Sequence, residues 1–346
     1  MTTRVGIREV ARAAGVSVTT VSHALNGKGR LPQQTRERVR AVAEQLGYRP
    51  NAAARSLAGG KTGLLGLVVS QEEGLEFAIP DFAYFGQLMS GATVAAMERG
   101  YALALTPPDL GFTLGGRLEV DGAIVVDPVF KDPTVAALHE AGAPVVTTGR
   151  VPDGPEAYAW VDNDHVAGTC SMLDHLARQG ASRIAVVTSR PLISYTIDSE
   201  RAYRDWCKEH GAQPMLSYVS GGLTESAGFS ATSKLLTRRE RPDGIYATYD
   251  RLGLGALLAA EAQGITVPGE LLVAACTDSA AARNATPSLT ALHLNAEEIG
   301  RRAVGRLVDI IEGSPATGPD AYPLVPTRVV ARASTRRRAG ARVRGG

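Results

Sequence analysis

The sequence predicts a small all-α unit at the N-terminus followed by a larger α/β body of two doubly wound parallel-sheet subdomains. Three observations carry this. Two short helix-period segments flank a glycine near the start, short apolar runs alternate with amphipathic segments from residue 64 to 275, and the alternation restarts after Trp160. A chain of 346 residues has room for both parts and for a sizeable core.

In the first segment Ile7, Val10, Ala11 and Ala14 recur at i, i+3, i+4 and i+7, which predicts a helix over 7–14. Gly15 suits the left-handed residue that closes it. Ser17 is placed to cap a second helix over 18–25 with Val21, Ala24 and Leu25 inside, and Asn26-Gly27 ends it. A third helix over 33–46 is expected to bury Val39, Val42, Ala43 and Leu46, with Arg36, Arg38 and Arg40 on its remaining surface. Asn51 can cap a short alanine-rich helix over 52–58 that Gly59-Gly60 stops.

Beyond it the texture changes. Strand-like runs fall at 64–69, 101–105, 122–126 and 144–148, with helical stretches at 84–99 and 133–141. After Trp160 come helices at 164–179, 199–210, 225–237 and 252–263 and strands at 183–188, 244–248 and 271–275. Buried parallel strands between amphipathic helices place a ligand cleft at the strand C-terminal ends, between the two halves. The "GFTLGGRLE" stretch at 111–119 is short for a full helix and predicts a loop or a reduced one.

Charge is unevenly spread. Residues 1–60 hold ten Lys/Arg against three Asp/Glu, and the last nineteen, from Arg328, hold seven Arg and no acid. The middle, 61–327, holds twenty basic against thirty-two acidic residues. One end therefore suits a polyanion and the body does not. Cys170, Cys207 and Cys276 lie far apart, so neither a disulfide framework nor a metal cluster is indicated. No run approaches the roughly 20 apolar residues of a membrane span, and the N-terminus lacks a signal-peptide core, so a cytoplasmic protein with no membrane partner is expected. Gly60-Lys61-Thr62 resembles the end of a phosphate loop, but Arg55 stands where that motif needs glycine and no strand precedes it. No catalytic or cofactor motif is present, so no cofactor, no metal and no enzyme activity are expected.

Two helices joined through a glycine turn, the second capped by Ser17, form the helix-turn-helix pattern, whose second helix enters the DNA major groove. A plain helical hairpin is the alternative, and the local basic charge weighs against it. "REVARAAGVSVTTVSHALNG" and "TRERVRAVAEQLGYRPNAAARSLAGGKTGLLGLVV", with the two-half body, resemble the LacI/GalR family of transcriptional regulators over essentially the whole chain. The resemblance implies a helix-turn-helix domain over 1–49, a hinge helix and linker over 50–61, and a periplasmic-binding-protein-like effector and dimerisation domain over 62–335. That last domain would divide at 62–160 and 161–290, with the chain crossing back after 290, and 336–346 would be a basic disordered tail.

The resemblance places Val18, Thr19 and His23 where the recognition helix meets base edges. Relatives commonly have arginine at the last of these, and histidine cannot make arginine's fork to guanine, so the half-site would differ or His23 would contact only phosphate or water. Ser17, Thr20, Ser22, Asn26, Arg30 and Thr35 are the phosphate candidates. Leu57, with Ala54 beside it, holds the minor-groove position at a central C-G step. An exposed leucine on so short a helix makes physical sense if bases bury it, the alternative being packing on the body.

For the cleft, Ser70, Phe82 and Tyr84 follow the first strand, and "WVDN" with Asp162 resembles the crossover into the second half. Tyr195 precedes Arg201, which lies near the family's ligand-binding arginine, and Tyr249-Asp250 matches the family's "ND" step. Thr277 stands where the family has the first acid of "G-[FY]-D-D", with Ala275-Cys276 before it. Each of these polar residues has packing or dimer contact as the alternative role. The reading that results is a homodimer repressing transcription from a palindromic double-stranded DNA operator, its affinity set by a sugar-like small molecule. A solute-binding protein, an enzyme of the doubly wound class and an activator are the rivals.

Overall fold

A computed structural model describes residues 5–25, 31–46, 48, 61–70, 83–106, 120–154, 158–190, 192–220, 222–314 and 324–336. The chain divides into two compact units, Met1–Thr62 and Gly63–Gly346.

The small unit holds α1 (Ile7–Ala14), α2 (Val18–Leu25) and α3 (Gln33–Gln45). Val10, Ala11, Ala14, Val21, Ala24, Val39 and Ala43 form its core. Gly15 adopts φ +63° and closes α1, with the Val16 amide donating back to the Ala11 carbonyl at 3.1 Å. Only a residue free to take a positive φ turns the chain this tightly into α2. Leu46 departs from expectation. It is the C-cap of α3 and is 38% exposed, because the helix ends at Gln45 and this small core is complete at Ala43.

The large unit contains two six-stranded sheets of the same plan. The first holds β1 (Leu64–Val69), β2 (Ala102–Thr106), β3 (Gly122–Val126), β4 (Val145–Thr148), β5 (Ala159–Asn163) and β11 (Leu324–Val325), in the order β2-β1-β3-β4-β5-β11. The second holds β6 (Ile184–Thr188), β7 (Met215–Tyr218), β8 (Gly244–Ala247), β9 (Leu272–Cys276), β10 (Thr290–His293) and β12 (Arg328–Val330), ordered β7-β6-β8-β9-β10-β12. Among the described strands every pairing is parallel except β10 with β12. The apolar runs are buried from both faces, as crossover helices require.

In the first half α4 (Ala83–Glu98) and α11 (Ala296–Ile311) cover one face, and α5 (Pro133–Glu140) covers the other. In the second, α8 (Glu225–Leu236) and α9 (Asp250–Ala262) cover one face, and α6 (His165–Arg178) and α7 (Ser194–Glu209) the other; α10 (Ala280–Asn284) links β9 to β10. The helix expected at 199–210 begins five residues earlier, at Ser194. Its first turn is polar yet buried, so contacts with the other half, rather than helical periodicity, set its start.

Among the described residues the chain passes between the halves three times: from β5 to α6, from β10 to α11 and from β11 to β12. Asn163, fully buried at the first crossing, ties all three together. Its Nδ2 donates to the carbonyls of Leu294 at 2.5 Å and Val325 at 3.2 Å. The crossing after 290 was expected; the return of β12 to the second sheet was not.

Candidate functional site

The DNA-facing candidate is α2. Ser17 caps it, its Oγ accepting from the Thr20 amide at 3.0 Å. The cap sets the helix phase so that Val21 and Ala24 turn inward, while Val18, 42% exposed, and Thr19 stand at the open first turn. Four residues apart, Thr19 and His23 share one stripe, as do Val18 and Ser22, with Ser22 and His23 half-buried. The Ser17 and Thr20 hydroxyls bond each other at 2.8 Å. That bond uses only one of their two donors, so the pair can still reach a phosphate. Thr35 is half-buried in the first turn of α3, its amide held by the Pro32 carbonyl. Asn26, Arg30, Ala54 and Leu57 lie outside the described residues, as does Phe82 of the cleft set.

The cleft follows from strand register. β1, β3, β4 and β5 are neighbours and end level, so the residues just past them, Ser70, Asp127 and Gly149, come side by side with Asp162 of β5. From the second half, Leu192 to Asp198 lie against these ends. Val129 and Ile193 form an isolated antiparallel bridge, and the Phe130 amide donates to the Leu192 carbonyl at 3.3 Å.

Asp162 is the hub. It is 4% exposed and accepts from His165 Nε2 at 2.9 Å, Ser194 Oγ at 3.0 Å, Arg150 Nε at 3.4 Å and the Asn163 amide at 2.8 Å. Burial alone would raise its carboxyl, but His165, Arg150 and Ser194 outweigh that and hold it below the usual range. Arg150 also pairs with Asp198 on α7, and its amide donates to Ser194 Oγ at 3.2 Å. One arginine thus joins the crossover strand of the first half to a helix of the second.

The structure places the other expected residues as follows. Ser70 donates to the buried Asp132, the cap of α5. Tyr84, in the first turn of α4, packs against the cores of both halves. Tyr195 lies with its ring 4.6 Å from that of His165 and 5.6 Å from that of Tyr249, its hydroxyl donating to the Thr248 carbonyl. Tyr249 caps α9 and Asp250 opens it, buried. Thr277 follows β9 at φ +75°, a strained value for a β-branched residue. Arg201 is 60% exposed and pairs at 3.0 Å with Asp198, one turn earlier on α7, which Arg150 links to Asp162. Asp278, next in the chain after Thr277, is tied to Arg283 at 3.1 Å and to Arg332 at 2.7 Å.

Sequence reasoning did not single out Asp127, Arg150, Ser194 or Asp198. The signal available was position, since the first residues past each parallel strand of a doubly wound sheet line its ligand crevice. Burial, then the charge of Asp162, push the Asp127 carboxyl up to about 7 from its ordinary 3.8. The folded state therefore binds this proton more tightly than the unfolded one. The neutral form's advantage is complete below about pH 4 and is lost as pH rises through 7. Asp127→Asn should remove that decline, flattening the melting temperature between pH 5 and 8 by an amount worth up to a few kcal/mol. Parallel slopes in variant and parent would refute it.

Among the described residues no group of three or more His, Cys, Asp or Glu could hold a metal, and no helix is long and apolar enough to cross a membrane. Residues 6–51 match the family model described as bacterial regulatory proteins, lacI family, and residues 173–335 match that of the periplasmic binding protein-like domain. The transcriptional regulator CelR of Thermobifida fusca is 34% identical over 88% of this chain and 91% of its own length. RafR of Escherichia coli is 34% identical over 75% and 77% respectively. Among solved structures, a CelR–cellobiose complex aligns with TM-score 0.70 and 30% identity over 96% of this chain and all of that one. A lac repressor dimer bound to operator aligns with TM-score 0.77 over 96% of this chain and 99% of that one, and at 22% identity it bears on the fold alone. These relatives are transcriptional regulators, and the enzyme and transport readings fall with them. The chain belongs to the lacI family of bacterial regulatory proteins: it is a DNA-binding transcriptional regulator and not an enzyme.

Proposed function

We propose that this regulator is a cytoplasmic repressor that binds a palindromic operator as a homodimer and answers to a sugar-like effector in the cleft between its two sheets. The observation that carries it is the first turn of α2, where Val18 and Thr19 are exposed on the basic unit behind the Ser17 cap. Val18 and Thr19 offer methyl contact to thymine, Thr19 adds a hydroxyl, and His23 reads a base on the same stripe. Exposed apolar side chains support the dimer: Val94 and Met97 on α4, Leu105 on the edge strand β2 and Leu258 on α9. The sugar class is supported by the cellobiose complex of CelR.

Control is by linkage. Effector changes the relation of the two halves around the Arg150–Asp198 pair, and this favours or disfavours hinge helices that place Leu57, with Ala54, in the minor groove. A coupling of about 1–3 kcal/mol changes operator affinity about 5- to 150-fold. Selection from a random duplex library by the purified protein, at fixed moderate salt, should enrich two inverted half-sites around a central C-G step. Enrichment of single half-sites only would overturn the dimer, and no enrichment with or without metabolite pools would overturn the operator reading. Leu57→Ala should weaken specific binding about ten- to a hundredfold and leave salt-dependent non-specific binding intact. Equal losses in both would remove the minor-groove role.

A further inference from the structure

Gly63 is the first residue of the large unit, and it is held on both sides. Its amide donates to Asp121 Oδ2 at 2.7 Å, across 58 residues of chain, and its carbonyl accepts from the Ala102 amide at 2.8 Å. The Asp121 amide completes the arrangement by donating to the Leu64 carbonyl at 2.8 Å. Gly63 itself takes φ +73°, a left-handed conformation that turns the chain just before it enters β1. With its two peptide groups fixed to the starts of β2 and β3, that turn cannot swing independently of the sheet.

The second half shows what such a clamp does for a sheet alone. Asp243 stands before β8 as Asp121 stands before β3, and it accepts from the Ser182 amide at 2.9 Å, the Arg183 amide at 2.7 Å and the Ser182 hydroxyl at 2.7 Å. There the chain arrives from α6, and the left-handed residue, Gly180 at φ +95°, lies outside the clamp. In the first half the clamp grips the left-handed residue itself. What precedes that residue is the segment 50–61, which leads back to the DNA-binding unit.

We propose that Asp121 is a positioning residue for operator binding: by locking Gly63 it fixes the direction in which the chain leaves the sheet toward 50–61, and the joint grip of two DNA-binding units on two half-sites depends on that direction. The inference rests on the operator and dimer reading above. Two linked units bind two sites as one only when their linkers hold them near the required geometry. A freely pivoting exit lowers the effective concentration of the second unit at its half-site without touching either unit's own contacts. Loss of the clamp therefore weakens the whole operator complex and leaves binding to a single half-site as it was.

The test measures the affinity of the full-length protein for two duplexes of equal length at fixed moderate salt, one carrying the two half-sites obtained by selection and one carrying a single half-site. Asp121→Ala, Asp121→Asn, Gly63→Ala and Asp243→Ala are compared with the parent, and thermal unfolding of each free variant reports the stability lost. Asp121→Ala should weaken the two-site complex about tenfold or more and the single-site complex by less than about twofold. Asparagine keeps an acceptor oxygen, so Asp121→Asn should return the two-site affinity to within about threefold of the parent. Gly63→Ala reaches the same exit from the chain's side. Its Cβ meets nothing within 4 Å, so packing is unchanged, but alanine resists φ +73° and the two-site complex should weaken here too. Asp243→Ala removes three bonds from the second sheet and should cost stability while keeping two-site affinity within about twofold of the parent. Equal weakening by Asp121→Ala and Asp243→Ala would overturn the inference and leave the operator reading standing. So would two-site affinity within about twofold of the parent in both Asp121→Ala and Gly63→Ala. A parent that does not prefer the two-site duplex would overturn the operator reading and this inference together.

Discussion

Gly300→Ala should destabilise the large unit by about 1–3 kcal/mol, although alanine is the better helix former by roughly 1 kcal/mol. Gly300 sits in α11 where that helix crosses α4. A Cβ there would overlap the Leu88 carbonyl oxygen and lie 2.8 Å from the Ala92 nitrogen, both of them backbone atoms that cannot swing aside. The contact is reciprocal, since a Cβ on Gly91 of α4 would overlap the Glu297 carbonyl. The second half repeats the device, with Gly255 of α9 against the backbone of α8 and Gly228 of α8 against that of α9. Gly305, five residues along the same helix, has nothing within 4 Å of its added Cβ. Gly305→Ala should therefore stabilise by about 0.5–1 kcal/mol. The same substitution in one helix is expected to have opposite signs, read as the shift in urea midpoint at unchanged slope. Shifts of the same sign would refute the account of the crossing.

Asp162→Ala should cost about 3–5 kcal/mol, the usual loss when one partner of a buried ionic network is removed. Four donors lose their acceptor together, and Arg150 is left with Asp198 alone. The sign with pH is opposite to that of Asp127. A carboxyl held below its unfolded value of 3.8 contributes stability that is present above that value and is lost as pH falls below it. Parent and variant should therefore converge in stability in strong acid, and a gap that stays constant to pH 2 would show that packing rather than charge is responsible. Because Arg150 bridges the halves, the variant should also change effector response even where it remains folded, measured as the ratio of operator affinities with and without ligand.

Much of this was legible from residue order. The glycine at 15, the serine at 17 and the inward Val21 and Ala24 suffice to define the first two helices, because each is a local device with a local cause. The apolar runs that become β1, β3, β4, β6, β8 and β9 read as strands for the same reason. The α11 helix carries a clear period in Ile299, Ala303, Val304, Leu307 and Val308, yet nothing local says that it returns to the first sheet. The cleft was harder. Asp162 was legible as part of the crossover into the second half, but its partners Arg150 and Ser194 lie 12 and 32 residues away and are chosen by sheet order. Asp127 looks like any loop acid until strand register sets it across Gly149 from Asp162. Conversely, the buried first turn of α7 hides its helical character behind Ile193, Thr196 and Ile197, β-branched residues that only a docked neighbour makes acceptable in or beside a helix.

The triple passage held by Asn163 has a consequence for how the molecule comes into being. The first half lacks α11 and β11, hence one wall of its core, until residue 325 has been made, and the second lacks β12 and the Ser334 contacts to Val273 and Thr290. Neither half can close on the ribosome while the other is finished later; both wait for the same last segment. Refolding of the large unit should accordingly proceed as one slow, non-local event rather than as two independent ones, and a chain stopped at residue 295 should yield two open halves instead of one folded half.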